Sequence, residues 1–410
     1  MGNLCFGMAQ RSDEEQDPND VVYSLTVQTT NFKKRRLISS TGTLTSPPPL
    51  PNLPFDLIAE ILCRLPVKHL LQLRCLGKYW KSLIYDPKFA KKQIQSSIKR
   101  HHLMVSSTNK SREVLLYDSE ISSVFSDSIV TQRQIRYPVT SQNNGYGLPY
   151  RLCSCDGILC FAIDHSSAIL WNPSIRKFKL LPPLEENSSK RISFCVYSFG
   201  YDRFNDEYKI IVIAFCNGQN VVSVNTMGTD YWRRIDDFPF SGPVCGPGVF
   251  VSDNVNWLTY DYSSSTSRVI VSLDLEKESY QKLSQPDLED NKWTLTLGVA
   301  RDCLCIFASN DMFLDVWIMM EYGNKESWTK FYNVPIPYIG GDRGLRSYTK
   351  ALYISEDDQL LIYFHKWRSN ELKLVVYDSK NGTSKIPSIQ NINGLSSPQV
   401  YVESLISPCF

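Results

Sequence analysis

The cysteines are the residues whose type and spacing come closest to a site for chemistry. Cys153 and Cys155, with Cys160 close behind, form one group, and Cys303 and Cys305 form a second. On a β-strand, residues i and i+2 share a face and could ligate one metal ion together. Zinc normally takes four ligands with Cys-x₂₋₄-Cys spacing, and nothing nearby completes either set. We therefore expect buried, structural thiols, with no metal and no other cofactor.

Catalytic motifs are missing from the rest of the sequence. It contains no Gly-x-Ser-x-Gly elbow, no His-Glu-x-x-His, no phosphate-binding loop and no kinase signature. Only His165 and His365 lie after residue 102, which is too little imidazole for a metal or acid–base site. Carboxylates and tyrosines also cluster near residue 200, but in the pattern of a turn between strands: Tyr201, Asp202, Asp206, Glu207 and Tyr208. We expect no catalytic residue.

The composition is typical of a folded protein whose net charge is too small to create a strong electrostatic field. The chain has 410 residues, 42% of them hydrophobic, and a formal net charge of +2. This charge does not direct the chain towards nucleic acid. No stretch approaches the roughly 20 apolar residues of a membrane span, and the first ten residues lack an export signal. We expect reduced thiols, a cytoplasmic or nuclear location and no stable membrane insertion.

The chain divides into three parts by composition and periodicity. Residues 1–49 are polar and end in a run of prolines, so we expect a disordered extension. Residues 50–97 have helical periodicity, in which Leu57, Ile61 and Leu65 form one apolar stripe. Prolines bracket this first helix, and two further helices and a short fourth follow. So small a core predicts a module that leans on a partner.

Residues 101–410 carry an internal repeat of β-strands. A strand ending in a turn residue, most often Asp or Asn, recurs about every fifty residues, as expected for four-stranded propeller blades. The six recurring segments are residues 115–118, 169–172, 222–225, 271–274, 316–319 and 375–378. Residues 103–106 and 401–406 are apolar enough to share one blade and close the ring. A β-sandwich, or two stacked β-domains, is the alternative.

Two regions resemble known domains of plant proteins. Residues 53–89 closely resemble the F-box, with matches at Leu53, Pro54, Leu65, Pro66, Leu70, Leu71, Arg74, Cys75, Lys78, Trp80, Asp86, Pro87 and Phe89. Gly77 and Tyr79 stand where Cys and Ser are common in that family. Downstream, the segments 154–160, 170–177, 199–202, 248–251, 271–275, 316–323, 326–330 and 401–405 resemble, in order, the F-box-associated, kelch-like domain. The diglycine of typical kelch blades occurs only at Gly340-Gly341, so the repeats are divergent.

The resemblance implies both a fold and a role. The fold is mostly β, with a three-helix F-box followed by a divergent kelch-like propeller of about six blades. The role is the substrate-recognition subunit of an SCF-type ubiquitin ligase, which binds a Skp-type adaptor and through it a cullin, and which catalyses no reaction itself. The adaptor-binding surface that the resemblance implies comprises Leu53, Pro54, Leu57, Ile61, Leu65, Pro66, Leu70, Leu71, Trp80 and Leu83. Some of these must form the module's own core, and the sequence does not divide them.

Between Leu62 and Arg100 one acid, Asp86, faces a large excess of basic residues. They are Arg64, Lys68, Arg74, Lys78, Lys81, Lys88, Lys91, Lys92, Lys99 and Arg100. This excess would suit an acidic adaptor surface. The protein substrate cannot be read from the sequence, but loops such as residues 242–248 and 335–346 are where a propeller would bind it. A propeller enzyme, a stand-alone binding protein and a nucleic-acid-binding protein are the alternatives.

Overall fold

The computed structural model describes most of the chain from residue 54 onward. The described ranges are residues 54–96, 99–108, 114–126, 129–136, 152–163, 166–184, 192–262, 267–288, 294–310, 312–336, 347–366, 371–389 and 398–409. The extension predicted at residues 1–49 lies outside them. So do Leu53, His165, Gly340-Gly341 and residues 337–346 of one candidate loop.

Four short helices form the N-terminal module, as the spacing predicts. They are α1 (Phe55–Leu62), α2 (Val67–Leu73), α3 (Lys78–Tyr85) and α4 (Pro87–Ser96), with a 3₁₀ turn at Arg74–Leu76 between α2 and α3. The carbonyl groups of Pro54 and Pro66 accept N–H groups from the first turns of α1 and α2, at 3.0 Å from Leu57 and from His69. Asp86 Oδ1 accepts the Lys88 N–H at 2.7 Å at the start of α4.

The rest of the chain forms six four-stranded antiparallel sheets. Blade 1 takes β1 (His101–Thr108), β2 (Val114–Glu120) and β3 (Arg133–Ile135), with a helix, α5 (Ile121–Ser126), between the last two. Blade 2 has β4 (Cys153–Cys155), β5 (Ile158–Ala162), β6 (Ala168–Asn172) and β7 (Lys177–Leu180). Blade 3 has β8 (Ile192–Asp202), β9 (Glu207–Cys216), β10 (Gln219–Thr226) and β11 (Arg233–Arg234).

The second half of the ring repeats the same order. Blade 4 has β12 (Val249–Val251), β13 (Asn254–Asp261), β14 (Ser267–Asp274) and β15 (Tyr280–Leu283). Blade 5 has β16 (Thr294–Ala300), β17 (Cys303–Ser309), β18 (Phe313–Met319) and β19 (Trp328–Pro335). Blade 6 has β20 (Ser347–Ile354), β21 (Gln359–Lys366), β22 (Glu371–Asp378) and β23 (Thr383–Lys385). The last strand, β24 (Gln399–Val402), pairs with β1 and completes blade 1.

This topology confirms a propeller of six blades and rules out the β-sandwich alternative. The innermost strands contact one another in the cyclic order β24, β4, β8, β12, β16, β20. Each of the six repeated segments lies in the third strand of a blade, so the repeat marks one strand position in every blade. Asn172, Asp274 and Asp378 there accept the N–H two residues on, at 2.9, 3.0 and 2.9 Å, because a short carboxylate or amide closes the turn to the fourth strand.

Blade 1 is closed by one buried carboxylate that joins all four strands. Asp118 of β2 accepts a hydrogen bond from the hydroxyl group of Tyr401 of β24 at 2.8 Å, and it lies 3.1 Å from Nδ1 of His102 of β1. Its second oxygen pairs with Arg133 of β3 at 3.0 Å. The third-strand carboxylate that closes a turn in blades 4 and 6 thus bridges the two ends of the domain in blade 1.

The His102–Asp118 contact predicts a pH-dependent contribution to stability. Burial opposes a charge on His102, but the hydrogen bond and charge of Asp118 outweigh it and raise the pKa of His102 above its ordinary value of 6.5. Because the folded-state pKa of His102 is raised, the protonated ring stabilises the fold fully below pH 6.5. This stabilisation is lost as the pH rises through the folded-state pKa. We expect His102→Gln to cost more free energy of unfolding at pH 6 than at pH 8.5, measured by urea titration.

A comparison between wild type and variant is needed because the neighbouring histidine has the opposite effect. Burial lowers the pKa of His101 to about 4, so this ring resists protonation and destabilises the fold as the pH falls below 6.5. The difference between wild type and His102→Gln cancels this contribution. A difference that stays constant between pH 6 and pH 8.5 would contradict the assignment.

Candidate functional site

The helical module exposes several large apolar side chains. Leu57 and Ile61 lie one turn apart on α1, and 50% and 55% of their surfaces are exposed. Leu76 and Tyr79, in the 3₁₀ turn and α3, are 67% and 44% exposed. Exposed apolar groups concentrated on about fifty residues are typical of an interaction site. We call Leu57, Ile61, Leu76 and Tyr79 the exposed ridge.

The structure divides the residues that the resemblance assigned to the adaptor surface. Leu57 and Ile61 are exposed side chains, as is Pro54. Leu65, Pro66, Leu71, Trp80 and Leu83 are half-buried, and all of these but Pro66 pack against the core of the module. Trp80 therefore has both an interior and an accessible side, and Tyr79 packs edge-on against its ring at 5.3 Å. Leu53 lies outside the described residues.

Leu70 corrects the sequence-based assignment. Its side chain is completely buried, so it cannot contact an adaptor while the module is folded. It packs in one cluster with Leu62, Val67 and Ile84, which draws α1, α2 and α3 together. Leu76 and Tyr79 are the residues that sequence reasoning did not assign to the surface. Their three-residue spacing is the available signal, but it crosses Gly77, where the helical pattern is interrupted.

The module sits on one particular face of the propeller. Residues 53–410 form a single compact unit. Lys91 of α4 pairs with Asp206 in the turn between β8 and β9, and Lys99 pairs at 3.0 Å with Asp302 in the turn between β16 and β17. Both turns join the first and second strands of a blade, so both lie on the same face. We call this the module face.

These contacts revise the interpretation of the basic excess. Lys91, Lys99 and Arg100 have partners within the chain, Arg100 at 3.4 Å from Glu403. The Glu60 carboxylate forms ion pairs with both Lys92 and Arg64, and the hydrogen bonds from these two cations lower the pKa of the carboxyl group. Much of the excess therefore serves the module and its seat on the propeller. Lys68, Lys78, Lys81 and Lys88 are exposed and remain suited to an acidic partner.

The candidate substrate loop at residues 242–248 lies at the opposite end of the strands. It links the fourth strand of blade 3 to the first of blade 4, and such connections leave the face opposite the module face. Asn220 Nδ2 donates to the Gly242 carbonyl at 2.9 Å, and Thr259 Oγ1 donates to the Pro243 carbonyl at 3.2 Å. A side chain at Gly242 would place its Cβ 2.2 Å from the Tyr260 carbonyl oxygen. The loop is thus held firmly on its scaffold.

The cysteine pairs are part of the hydrophobic core. Cys153, Cys155, Cys160 and Cys305 are buried, and no group of three His, Cys, Asp or Glu in the described ranges is arranged to hold a metal ion. Burial raises the pKa of the Cys155 thiol well above its usual range and that of Cys305 to about 12. Tyr201, Asp202 and their neighbours do form the turn between β8 and β9, where Asp202 accepts the Phe204 N–H at 3.0 Å.

This burial predicts a sharp division in thiol reactivity. The thiolate is the nucleophile, so a buried thiol with a raised pKa reacts slowly. At pH 7.5 we expect iodoacetamide to label the exposed cysteines at least about tenfold faster than the buried ones. Mass spectrometry should find early labelling at Cys75, Cys245 and Cys409 and late labelling at Cys153, Cys155, Cys160 and Cys305. Equal rates in urea serve as the control, and fast labelling of Cys160 in the native protein would contradict the prediction.

Comparison with known protein families identifies the class to which this combination of helical module and propeller belongs. Residues 50–92 match the F-box domain, and residues 102–408 match the F-box associated beta propeller domain. The chain belongs to the family of proteins with an F-box associated beta propeller domain. No helix in the described ranges is long and apolar enough to span a bilayer.

Curated relatives agree with this assignment. An F-box/kelch-repeat protein of Arabidopsis thaliana is 30% identical over 87% of this chain and 96% of its own length. The F-box protein CPR1 of the same plant is 26% identical over 87% of this chain and 89% of its own. The WD40 domain of SCAP from fission yeast matches 72% of this chain and 69% of its own length, with 10% identity and a TM-score of 0.38.

Proposed function

We propose that this protein is the substrate-recognition subunit of an SCF-type ubiquitin ligase. The observation that carries the proposal is the exposed ridge on a module that matches the F-box domain. The ridge would bind a Skp-type adaptor, which attaches the chain to a cullin and its conjugating enzyme. We propose that the protein is located in the cytoplasm or the nucleus, where such a ligase would act.

The proposed role is one of positioning and not of bond chemistry. A bound target is held near the activated ubiquitin, which raises its effective concentration there. The face opposite the module face is the surface we propose for the target, because a target bound there would not compete with the adaptor for space. The loop at residues 242–248 lies on that face and is rigid enough to present side chains without a large ordering cost.

Reconstitution of the complex tests this proposal. The full-length chain is mixed with a Skp-type adaptor, a cullin and the cullin's conjugating enzyme, and the assembly is followed by size-exclusion chromatography. We expect one peak that contains the chain, the adaptor and the cullin, and that depends on the adaptor. A folded chain that stays apart from the adaptor and cullin would contradict the proposal.

A further inference from the structure

The residues that follow the last strand continue from the propeller to the helical module. The Glu403 N–H donates to the Arg100 carbonyl at 3.0 Å, next to the start of β1. Glu403 Oε1 accepts the Val67 N–H, the first of α2, at 3.3 Å and pairs with Arg100 at 3.4 Å. The Glu403 side chain is only 12% exposed, so solvent screens these contacts weakly. One carboxylate thus joins the module, the linker and the end of β24.

The next residues join the hydrophobic core of the module to that of the propeller. Leu405 and Ile406 are 6% and 1% exposed. They belong to one continuous cluster with Leu62 and Val67 of the module and with the side of the blade 2 sheet that packs against blade 3. The module and the propeller thus share one hydrophobic core, to which Leu405 and Ile406 contribute. The exposed apolar surface left by removing Leu405 and Ile406 would lie between the module and the propeller.

Blade 2 holds the same residues from the other side. The buried Asn172 amide donates from Nδ2 to the Ser404 carbonyl at 3.1 Å, to Ser404 Oγ at 3.0 Å and to the Ile406 carbonyl at 2.8 Å. Gly157 leaves the room that this path needs, since a Cβ there would lie 2.5 Å from Ser404 Oγ. Its φ of +80° also favours glycine. The segment is thus gripped by the propeller and contacts the module.

We propose that residues 403–409 form a clasp that fixes the helical module against the module face. Glu403 and Ile406 are its positioning residues: Glu403 holds the start of α2, and Ile406 fills the shared core. The clasp sets the direction of the exposed ridge relative to the opposite face of the propeller. Its importance for ubiquitin transfer rests on the proposed function, whereas its importance for the module's seat does not.

Hydrogen–deuterium exchange of the full-length chain tests the clasp. The double variant Glu403→Ala, Ile406→Ala removes both contacts. The matched control is Glu207→Ala, Ile386→Ala, which changes the same residue types at exposed positions, Ile386 being 64% exposed. We expect the amides of α1 and α2 to exchange at least about tenfold faster in the clasp variant, because the module opens locally. The strands β12, β13 and β14 of blade 4 should exchange as in the control.

Two outcomes would overturn the clasp. Exchange of α1 and α2 that equals the control would show that the segment does not hold the module. Equal acceleration in all six blades would show that it stabilises the ring as a whole and has no specific role at the module. Adaptor binding by the wild-type chain is measured separately: its failure would contradict the proposed function, while the exchange rates decide the clasp in either case.

Discussion

Replacement of Asp118 by alanine is expected to lower the free energy of unfolding by about 3 kcal/mol. The variant leaves the buried Tyr401 hydroxyl without its acceptor and His102 without its counter-charge. Because β24 and β1 come from opposite ends of the domain, weakening this blade opens the ring. Urea unfolding followed by circular dichroism measures the loss.

Asp378→Ala is the matched control for this prediction. Asp378 occupies the same third-strand position in blade 6, but its hydrogen bonds stay within that blade: they come from the Lys380 and Asn381 N–H groups of the turn, the Asn381 amide and Gln359 of the neighbouring strand. Loss of such a turn contact costs about 1 kcal/mol. Equal losses in the two variants would contradict the special role of Asp118 in ring closure.

Replacement of Leu70 by alanine is expected to destabilise the helical module by about 2 to 5 kcal/mol. The side chain is fully buried where α1, α2 and α3 meet, and so small a core has little stability to spare. We expect faster amide exchange in α1–α3 and weaker adaptor binding as an indirect result, with the propeller unchanged.

Leu76→Ala separates this core effect from a surface effect. Leu76 is 67% exposed, so its truncation should change stability by less than about 0.5 kcal/mol. It should still weaken adaptor binding, because Leu76 belongs to the exposed ridge. A Leu70→Ala variant whose module exchanges as slowly as Leu76→Ala would contradict the placement of Leu70 in the core.

The architecture could largely be predicted from the sequence because its signals are local and repeated. The turn residue that ends the third strand in blades 2, 4 and 6 has a local cause, the capped turn at Asn172, Asp274 or Asp378. Its recurrence about every fifty residues therefore marked the blades. Ring closure was predictable too, since β24 and β1 are the apolar strands left over at the two ends. The first helix follows from the four-residue spacing of its apolar residues between prolines.

The division of the helical module into core and surface was not predictable, because it depends on distant residues. Leu70 and Leu71 are neighbours of one type, yet the first is fully buried and the second is partly accessible. The core that decides this includes Ile406, more than 300 positions away. The same holds for the basic residues: Lys99 of the linker pairs with Asp302 of blade 5, which lies 203 positions away. No local pattern encodes such pairs.

The affinity of a Skp-type adaptor for variants of the exposed ridge tests most directly whether this ridge attaches the protein to a ubiquitin ligase. Isothermal titration calorimetry compares three proteins: the wild-type chain, the double ridge variant Leu57→Asp, Ile61→Asp, and a double control variant. The control is Ile129→Asp, Ile386→Asp, whose two isoleucines are each 64% exposed on the propeller. We expect tight binding by the wild type and the control, and a loss of about a hundredfold or more for the ridge variant, since charges would be buried at the interface. Equal affinity of all three folded proteins, or no binding by any, would contradict the claim that this ridge attaches the protein to a ubiquitin ligase.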